Sequence, residues 1–296
     1  MTIRSSDYII FNGTDSRDLN ISNVNLSGGL QEDPFLPETQ ILEVSTRYRD
    51  KPYFQDVKRL PQTFPITLLF DEGFNEESLR ELGKLLHKNV YLPLIFSSRL
   101  DRIYYVIFEG LSSLNHNCLD QGYVTLSVRT NSPYAYKPFV VTDVYDAIEG
   151  NAWSSEQGQL FSTEFQSTEE YEGEEPASIL IGDLIGAPPY GFYLPLENTG
   201  DLPIYFEIMI QKKDEVGEVS ITNVTDNNKE FKIENLVVDE EIYVDFENEN
   251  IITDLALTYR YDDWNGVALQ LLPGVNEFTV QGKCHLRIRF QPILVA

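Results

Sequence analysis

Apolar and polar residues alternate with a period of two along most of the chain, and only one stretch keeps a helical period for several turns. Leu42-Glu43-Val44-Ser45-Thr46-Arg47-Tyr48 alternates strictly and predicts a half-buried strand; Ile66-Thr67-Leu68-Leu69-Phe70 predicts a second. Between them, Arg49 to Pro65 has Pro52 and Pro61 in its interior and clustered charge, which suits a projecting hairpin or arm better than core. The helix begins at an Asn75 N-cap, with Glu76 and Glu77 in its first turn. Leu79, Leu82 and Leu86 share one face, Lys84 and Lys88 lie near the C-terminus, and Asn89 is the expected end. Strands follow at Val90 to Phe96 and at Arg102 to Glu109, the latter apolar on both faces and so expected in the middle of a sheet. Leu111 to Gly122 reads as loop. Tyr123 to Arg129 reads as a strand that buries Val124, Leu126 and Val128. Ahead of this unit, short strand-prone runs end at the turn signals Asn12-Gly13 and Ser27-Gly28-Gly29.

The second half predicts many short strands separated by turns, the pattern of a β-sandwich. Phe192 to Glu197 runs into the turn Asn198-Thr199-Gly200-Asp201, and Ile204, Phe206, Ile208 and Ile210 then share one face. Further strands are expected at Val219 to Asn223, Lys229 to Ile233, Glu241 to Asp245, Leu255 to Arg260, Glu277 to Gln281 and Leu286 to Phe290. The fold class is therefore all-β with one helix. At 296 residues the chain has room for two cores, and Pro133 and Pro138 bracket the expected boundary, giving domains 1–138 and 139–296.

Charge sharpens that division. The formal net charge is −25, and residues 1–138 hold 14 basic and 17 acidic side chains, net −3, against 8 and 30, net −22, in residues 139–296. Such an excess of carboxylates argues against direct nucleic-acid binding, which needs clustered Lys and Arg. No apolar run reaches the roughly 18 to 20 residues of a membrane span. The N-terminus lacks an apolar signal core, so the expectation is a soluble protein made in a cytoplasm. Ser162 to Pro176, rich in Glu, reads as a solvated loop without the regular spacing of a calcium site.

Chemistry-bearing motifs are missing: there is no phosphate-binding loop, no nucleophile elbow, no HExxH and no dinucleotide fingerprint. Cys118 and Cys284 are far apart and read as free structural thiols, and the Asn-x-Ser/Thr triplets read as turns. His87 closes the helix, His116 lies near Cys118 in a polar stretch, and His285 shares an exposed strand face with Arg287 and Arg289. No catalytic residue, metal or cofactor is expected. Asp262-Asp263-Trp264-Asn265-Gly266 reads equally well as a carbohydrate platform built on Trp264 or as a hairpin turn with a packed Trp. Arg47, Arg49, Lys51, Lys58 and Arg59 concentrate positive charge in one stretch of an acidic chain, beside Tyr48, Tyr53 and Phe54. Arg and aromatics are the residues that interfaces favour.

Taken in order, Phe11-Asn12-Gly13, the strand and arm at Leu42 to Pro65, Ser132-Pro133-Tyr134-Ala135-Tyr136, Leu196-Glu197-Asn198-Thr199-Gly200 and Leu271-Leu272-Pro273-Gly274-Val275-Asn276 resemble the distal tail proteins of long, non-contractile-tailed bacteriophages. Tyr134 stands where that family usually has Phe. The resemblance implies an N-terminal β domain that assembles as a homo-hexameric ring and a C-terminal galectin-like β-sandwich that projects outward. It further implies a structural hub of the tail tip rather than an enzyme. Its partners would be other copies of itself, the major tail tube protein, the tape measure protein and the tail-tip hub or tail-associated lysin, with a receptor-binding protein as a further candidate. The arm residues Arg47, Arg49, Lys51, Tyr53, Phe54, Lys58 and Arg59 are the ring-interface candidates. A carbohydrate-binding module acting through the second domain is the alternative.

Overall fold

The computed structural model describes residues 6–26, 36–117, 120–145, 154–160, 192–213, 215–282 and 284–295. Cys118, the turn Ser27-Gly28-Gly29 and the Glu-rich Ser162 to Pro176 lie outside the described residues. The chain divides into two compact units, Met1–Tyr136 with Leu294–Ala296, and Lys137–Ile293.

The first unit contains β1 (Ile9–Phe11), β2 (Thr14–Asp15), β3 (Ile21–Asn23), β4 (Thr39–Thr46), β5 (Arg49–Arg59), β6 (Thr63–Phe70), α1 (Glu76–Leu86), β7 (Leu92–Phe96), β8 (Arg99–His116), β9 (Gly122–Thr130) and β10 (Ala135–Tyr136). Its main sheet runs β2-β1-β7-β8-β9-β6-β3. β8 lies between β7 and β9, the central place its two apolar faces predict. It also continues to His116, through a stretch expected as loop. The reason is an irregularity near Gly110 (φ +74°), after which β8 resumes pairing with β9 at Ser113↔Thr125. Phe64 of β6 lies 6.1 Å from Phe96 of β7, and both rings stack edgewise or tilted near Tyr104 of β8. In a flat sheet β6 and β7 would stand about 14 Å apart, so the sheet curls around this aromatic cluster.

Helix α1 starts where its cap predicts. Asn75 Oδ1 accepts from the Ser78 N–H at 2.8 Å, and Ser78 Oγ accepts from the Asn75 N–H at 2.9 Å. It ends at His87, two residues before the expected Asn89. Leu82 is buried and Leu79, Leu85 and Leu86 pack against the same core. Between β1 and β2, Asn12 and Gly13 both take left-handed φ angles, the requirement of a two-residue hairpin.

The second unit holds β11 (Phe139–Tyr145), β12 (Ser154–Leu160), β13 (Phe192–Asn198), β14 (Ile204–Tyr205), β15 (Glu207–Lys212), β16 (Gly217–Asn223), β17 (Lys229–Leu236), β18 (Glu241–Asp245), β19 (Asn250–Thr253), β20 (Gln270–Leu271), β21 (Gly274–Gln281) and β22 (Cys284–Phe290). A sheet β12-β11-β22-β15-β18-β19 faces a sheet β13-β21-β16-β17. Ile208, Ile210, Val244 and Ile288 from the first meet Leu194, Ile221, Phe231 and Val280 from the second in one apolar core. Phe206, Phe231, Phe246 and Phe278 cross-link it with edge-to-face contacts at 4.8 to 5.8 Å. Cys284 is buried here, its Sγ donating to the Gly282 carbonyl at 3.6 Å.

Three buried asparagines pin the loop that follows β20. Asn198 Nδ2 donates to the Leu202 and Leu271 carbonyls, Asn223 Nδ2 donates to the Gln270 carbonyl at 2.7 Å, and Asn276 Nδ2 donates to the carbonyls of Leu272 (2.7 Å) and Gly274 (3.0 Å). Their Oδ1 atoms accept in turn from the N–H groups of Gly200, Asp226 and Leu272. Asn223 heads one of the Asn-x-Thr triplets, and its amide is wholly engaged in this network.

Two expectations fail in this unit. Leu255 to Arg260 forms no strand, because its residues leave the sheet after β19 and run over the open side of the sandwich. Arg289 is not on an exposed face. It is buried, with its guanidinium bidentate to Glu207 at 2.6 to 2.9 Å and 4.9 Å from the centre of the Phe139 ring, and His285 is half-buried.

The segment Asp254–Asn265 is held by Arg260. Its Nε and Nη2 donate to the two carboxylate oxygens of buried Glu240 at 2.8 and 2.7 Å, and its Nη1 donates to Asp263 at 3.0 Å. Glu240 also accepts from Thr253 Oγ1 and from the Val237 N–H. Burial alone would raise the Glu240 pKa, but these bonds outweigh it and hold the carboxyl below its ordinary 4.5; bonds from Asn235 and Arg260 hold Asp263 below 3.8. Depressed carboxylate values give stability that is complete above the ordinary values and is lost as pH falls through the folded ones. Glu240→Gln, which leaves the buried Arg260 charge with Asp263 as its one remaining carboxylate, is expected to cost about 3 kcal/mol near neutral pH. It should also flatten the acid dependence below about pH 5, measured by denaturant unfolding across a pH series. Asn276→Ala, which strands one N–H and two carbonyls at the end of β20, should cost about 2 kcal/mol in the same assay at every pH.

Candidate functional site: an uncovered hairpin arm

The arm is built from two strands rather than one connection. β4 pairs with β5 from Thr39↔Arg59 to Thr46↔Arg49, so Leu42 to Thr46 is not a half-buried strand of the main sheet but one leg of a separate two-stranded hairpin. Every residue of β4 is exposed, and β5 is exposed apart from the partly covered Pro52 and Val57. The alternation that predicted burial is real, yet both faces carry apolar groups. Cross-strand partners share a face, so the Ile41↔Val57 and Glu43↔Phe54 pairs put Ile41, Val57 and Phe54 on one side, while Val44↔Tyr53 and Leu42↔Asp56 put Leu42, Val44 and Tyr53 on the other. Irregularities between Leu42 and Glu43 and between Val44 and Thr46 twist the ribbon further.

All seven sequence candidates belong to this hairpin or its tip. Tyr48 at the tip is 94% exposed and Phe54 is 66% exposed. The Arg49 guanidinium lies 4.1 Å from the Tyr53 ring centre, and Arg47 lies 6.0 Å from that of Tyr48. Among the described residues, none of Arg47, Arg49, Lys51, Lys58 and Arg59 is ion-paired. Periodicity missed Ile41, Leu42 and Val44 as parts of the same surface. The consecutive apolar pair Ile41-Leu42, which no one-sided strand would need, was the available signal.

Trp264 lies elsewhere. It is half-buried against the core of the second unit, bridges to Ile233, and its Nε1 donates to the Val267 carbonyl at 3.2 Å. Asp263 and Asn265 extend the sheet around it. The Asp263 carbonyl accepts from the Glu234 N–H, the Asn265 N–H donates to the Lys232 carbonyl, and the Asn265 side chain bonds the Lys232 N–H and the Glu230 carbonyl. Asn265-Gly266 is thus not a hairpin turn. It ends a strand substitute that covers the open edge of β17.

Comparison with known proteins agrees with this architecture. A family model described as a phage tail protein N-terminal domain matches residues 4–132, and a second, described as a phage tail C-terminal domain, matches residues 196–290. An uncharacterized protein derived from the SPbeta prophage of Bacillus subtilis (strain 168), YomH, is 27% identical over 290 residues, 98% of each chain. The crystal structure of the Dit protein (gp 19.1) of phage SPP1, described as a paradigm of the hub adsorption apparatus in phages that infect Gram-positive bacteria, aligns over 96% of this chain and 98% of that one. Its TM-score is 0.59 at 16% identity. A chain of the activated phage P2 baseplate with Ca aligns with TM-score 0.47 at 8% identity, over 95% and 97% of the two chains. With phage tail models matching both of its halves, the chain belongs to the phage tail proteins, and over nearly its whole length it has the fold of SPP1 Dit.

Proposed function

We propose that this tail protein is the structural hub of the tail tip, a homo-hexameric ring that joins the tail tube to the adsorption apparatus, and that its role is not enzymatic. In this reading residues 1–138 form the ring and 139–296 form an outward, galectin-like sandwich. The ring is assembled in the host cytoplasm. The major tail tube protein, the tape measure protein and the tail-tip hub or tail-associated lysin are its neighbours, and a receptor-binding protein is carried at the periphery.

The observation that supports a ring most directly is the arm. An isolated two-stranded hairpin is at best marginally stable in water. This one buries neither face on its own unit and presents six apolar or aromatic side chains, Ile41, Leu42, Val44, Tyr48, Tyr53 and Phe54, with five cations. A neighbouring copy supplies what is missing: carboxylates for the cations and an apolar surface for Tyr53 or Phe54.

Replacing Arg49 and Tyr53 together by Ala should leave the protomer folded, since neither side chain touches its core. It should weaken assembly by about 2 kcal/mol or more at each contact, repeated around the ring. Sedimentation across a dilution series measures this. Rings as stable in the double variant as in the parent would remove the arm from the assembly interface.

A further inference from the structure

The segment that seals the sandwich carries an exposed apolar tip. Leu257 is 99% exposed and adopts φ +58°, a left-handed conformation that leucine rarely takes. Tyr259 is 82% exposed, and Ile252 and Tyr261 are exposed beside them in sequence. This tip is not a loose loop. Arg260, next to Tyr259, turns inward to Glu240 and Asp263. Asp254 exchanges bonds with Glu241, and the Tyr261 hydroxyl donates to Asn250 and accepts from the Ile251 N–H. A strained, fully exposed leucine beside an exposed tyrosine is costly to maintain as mere surface, and such strain gathers at sites that bind.

The electrostatic setting indicates what would cover the tip. Asp254 and Asp262 flank it, and Glu247 and Glu249 occupy the turn between β18 and β19. The one cation from Asn250 to Asn265 is Arg260, already engaged by two carboxylates. We propose that Leu257 and Tyr259 are the point at which the C-terminal unit grips another protein of the tail, by inserting into an apolar pocket rimmed with Lys and Arg. A second copy of this acidic unit would be repelled, as would an anionic membrane surface. A sugar would offer no burial for an aliphatic Leu257. This inference rests on the tail-hub reading and adds the surface and the chemistry of the partner.

The test uses whole tails from the producing cell. Leu257→p-benzoylphenylalanine should, on irradiation, give a covalent adduct to another tail protein at an apolar peptide bordered by Lys or Arg, mapped by mass spectrometry. Val275→p-benzoylphenylalanine, also exposed but on β21 of the other sheet, should not give that adduct. No adduct at position 257, or one formed with a second copy, a lipid or a glycan, overturns the proposal. In parallel, the Leu257→Ser/Tyr259→Ser variant should assemble as the parent does while the amount of the cross-linked protein per tail falls at least tenfold. Full retention of that protein refutes the tip as its attachment point. Failure of the parent itself to form rings refutes the hub reading instead.

Discussion

A β-sandwich has two open sides, and the backbone groups there must find partners or remain exposed to another chain's edge. In the second unit one of these sides is closed by a single irregular segment, Asp254–Asn265. At one end of it Tyr261 bonds the edge of β19, and at the other Asp263 and Asn265 stand in for a strand along β17. What keeps the segment in place is the Glu240–Arg260 pair. A buried ion pair often contributes little net stability over an apolar alternative, because desolvation offsets attraction. Its effect here is geometric: the guanidinium meets Glu240 and Asp263 together, and in that position the segment bonds both sheet edges.

The same need to satisfy backbone groups accounts for the motifs that gave the sequence away. Asn198 in Leu196-Glu197-Asn198-Thr199-Gly200 and Asn276 in Leu271-Leu272-Pro273-Gly274-Val275-Asn276 are two of the three asparagines that hold the loop after β20. Gly200 is required for a different reason: a Cβ there would come within 2.6 Å of the Ile293 carbonyl oxygen. A family resemblance carried by such residues therefore reports the connection between strands, where buried amides satisfy the backbone.

How far the fold could be read from sequence varied with how local its causes are. The Asn75 cap, the Asn12-Gly13 turn and the buried faces of β9 and β15 were legible because each depends on a few adjacent residues. Leu42 to Tyr48 was misplaced because period-two alternation reports a pleat and not which sheet, if any, covers it; only pairing with Arg49 to Arg59 shows that the hairpin stands alone. Leu255 to Arg260 failed for a related reason. Alternation persists there, but Arg260 spends its side chain on Glu240, 20 residues earlier in the chain, and that long-range bond overrides local propensity. The arm's cations and aromatics were visible by composition alone, whereas the exposed Leu257 left no trace in any pattern.

The two exposed apolar surfaces differ in how their order is maintained, and that difference bears on assembly. The Leu257–Tyr259 tip is fixed by bonds within its own unit, so a partner would meet a surface already in its bound shape, and little ordering entropy would oppose the encounter. The arm has no such support. On the proposed docking to an adjacent copy, the cost of aligning β4 with β5 would fall on each contact as it forms. A ring whose contacts each carry that cost gains little from a partial set of neighbours and much from the last one. The hairpin's poor self-sufficiency therefore favours closed rings over open chains of protomers, provided its docking surface lies on an adjacent copy, as proposed.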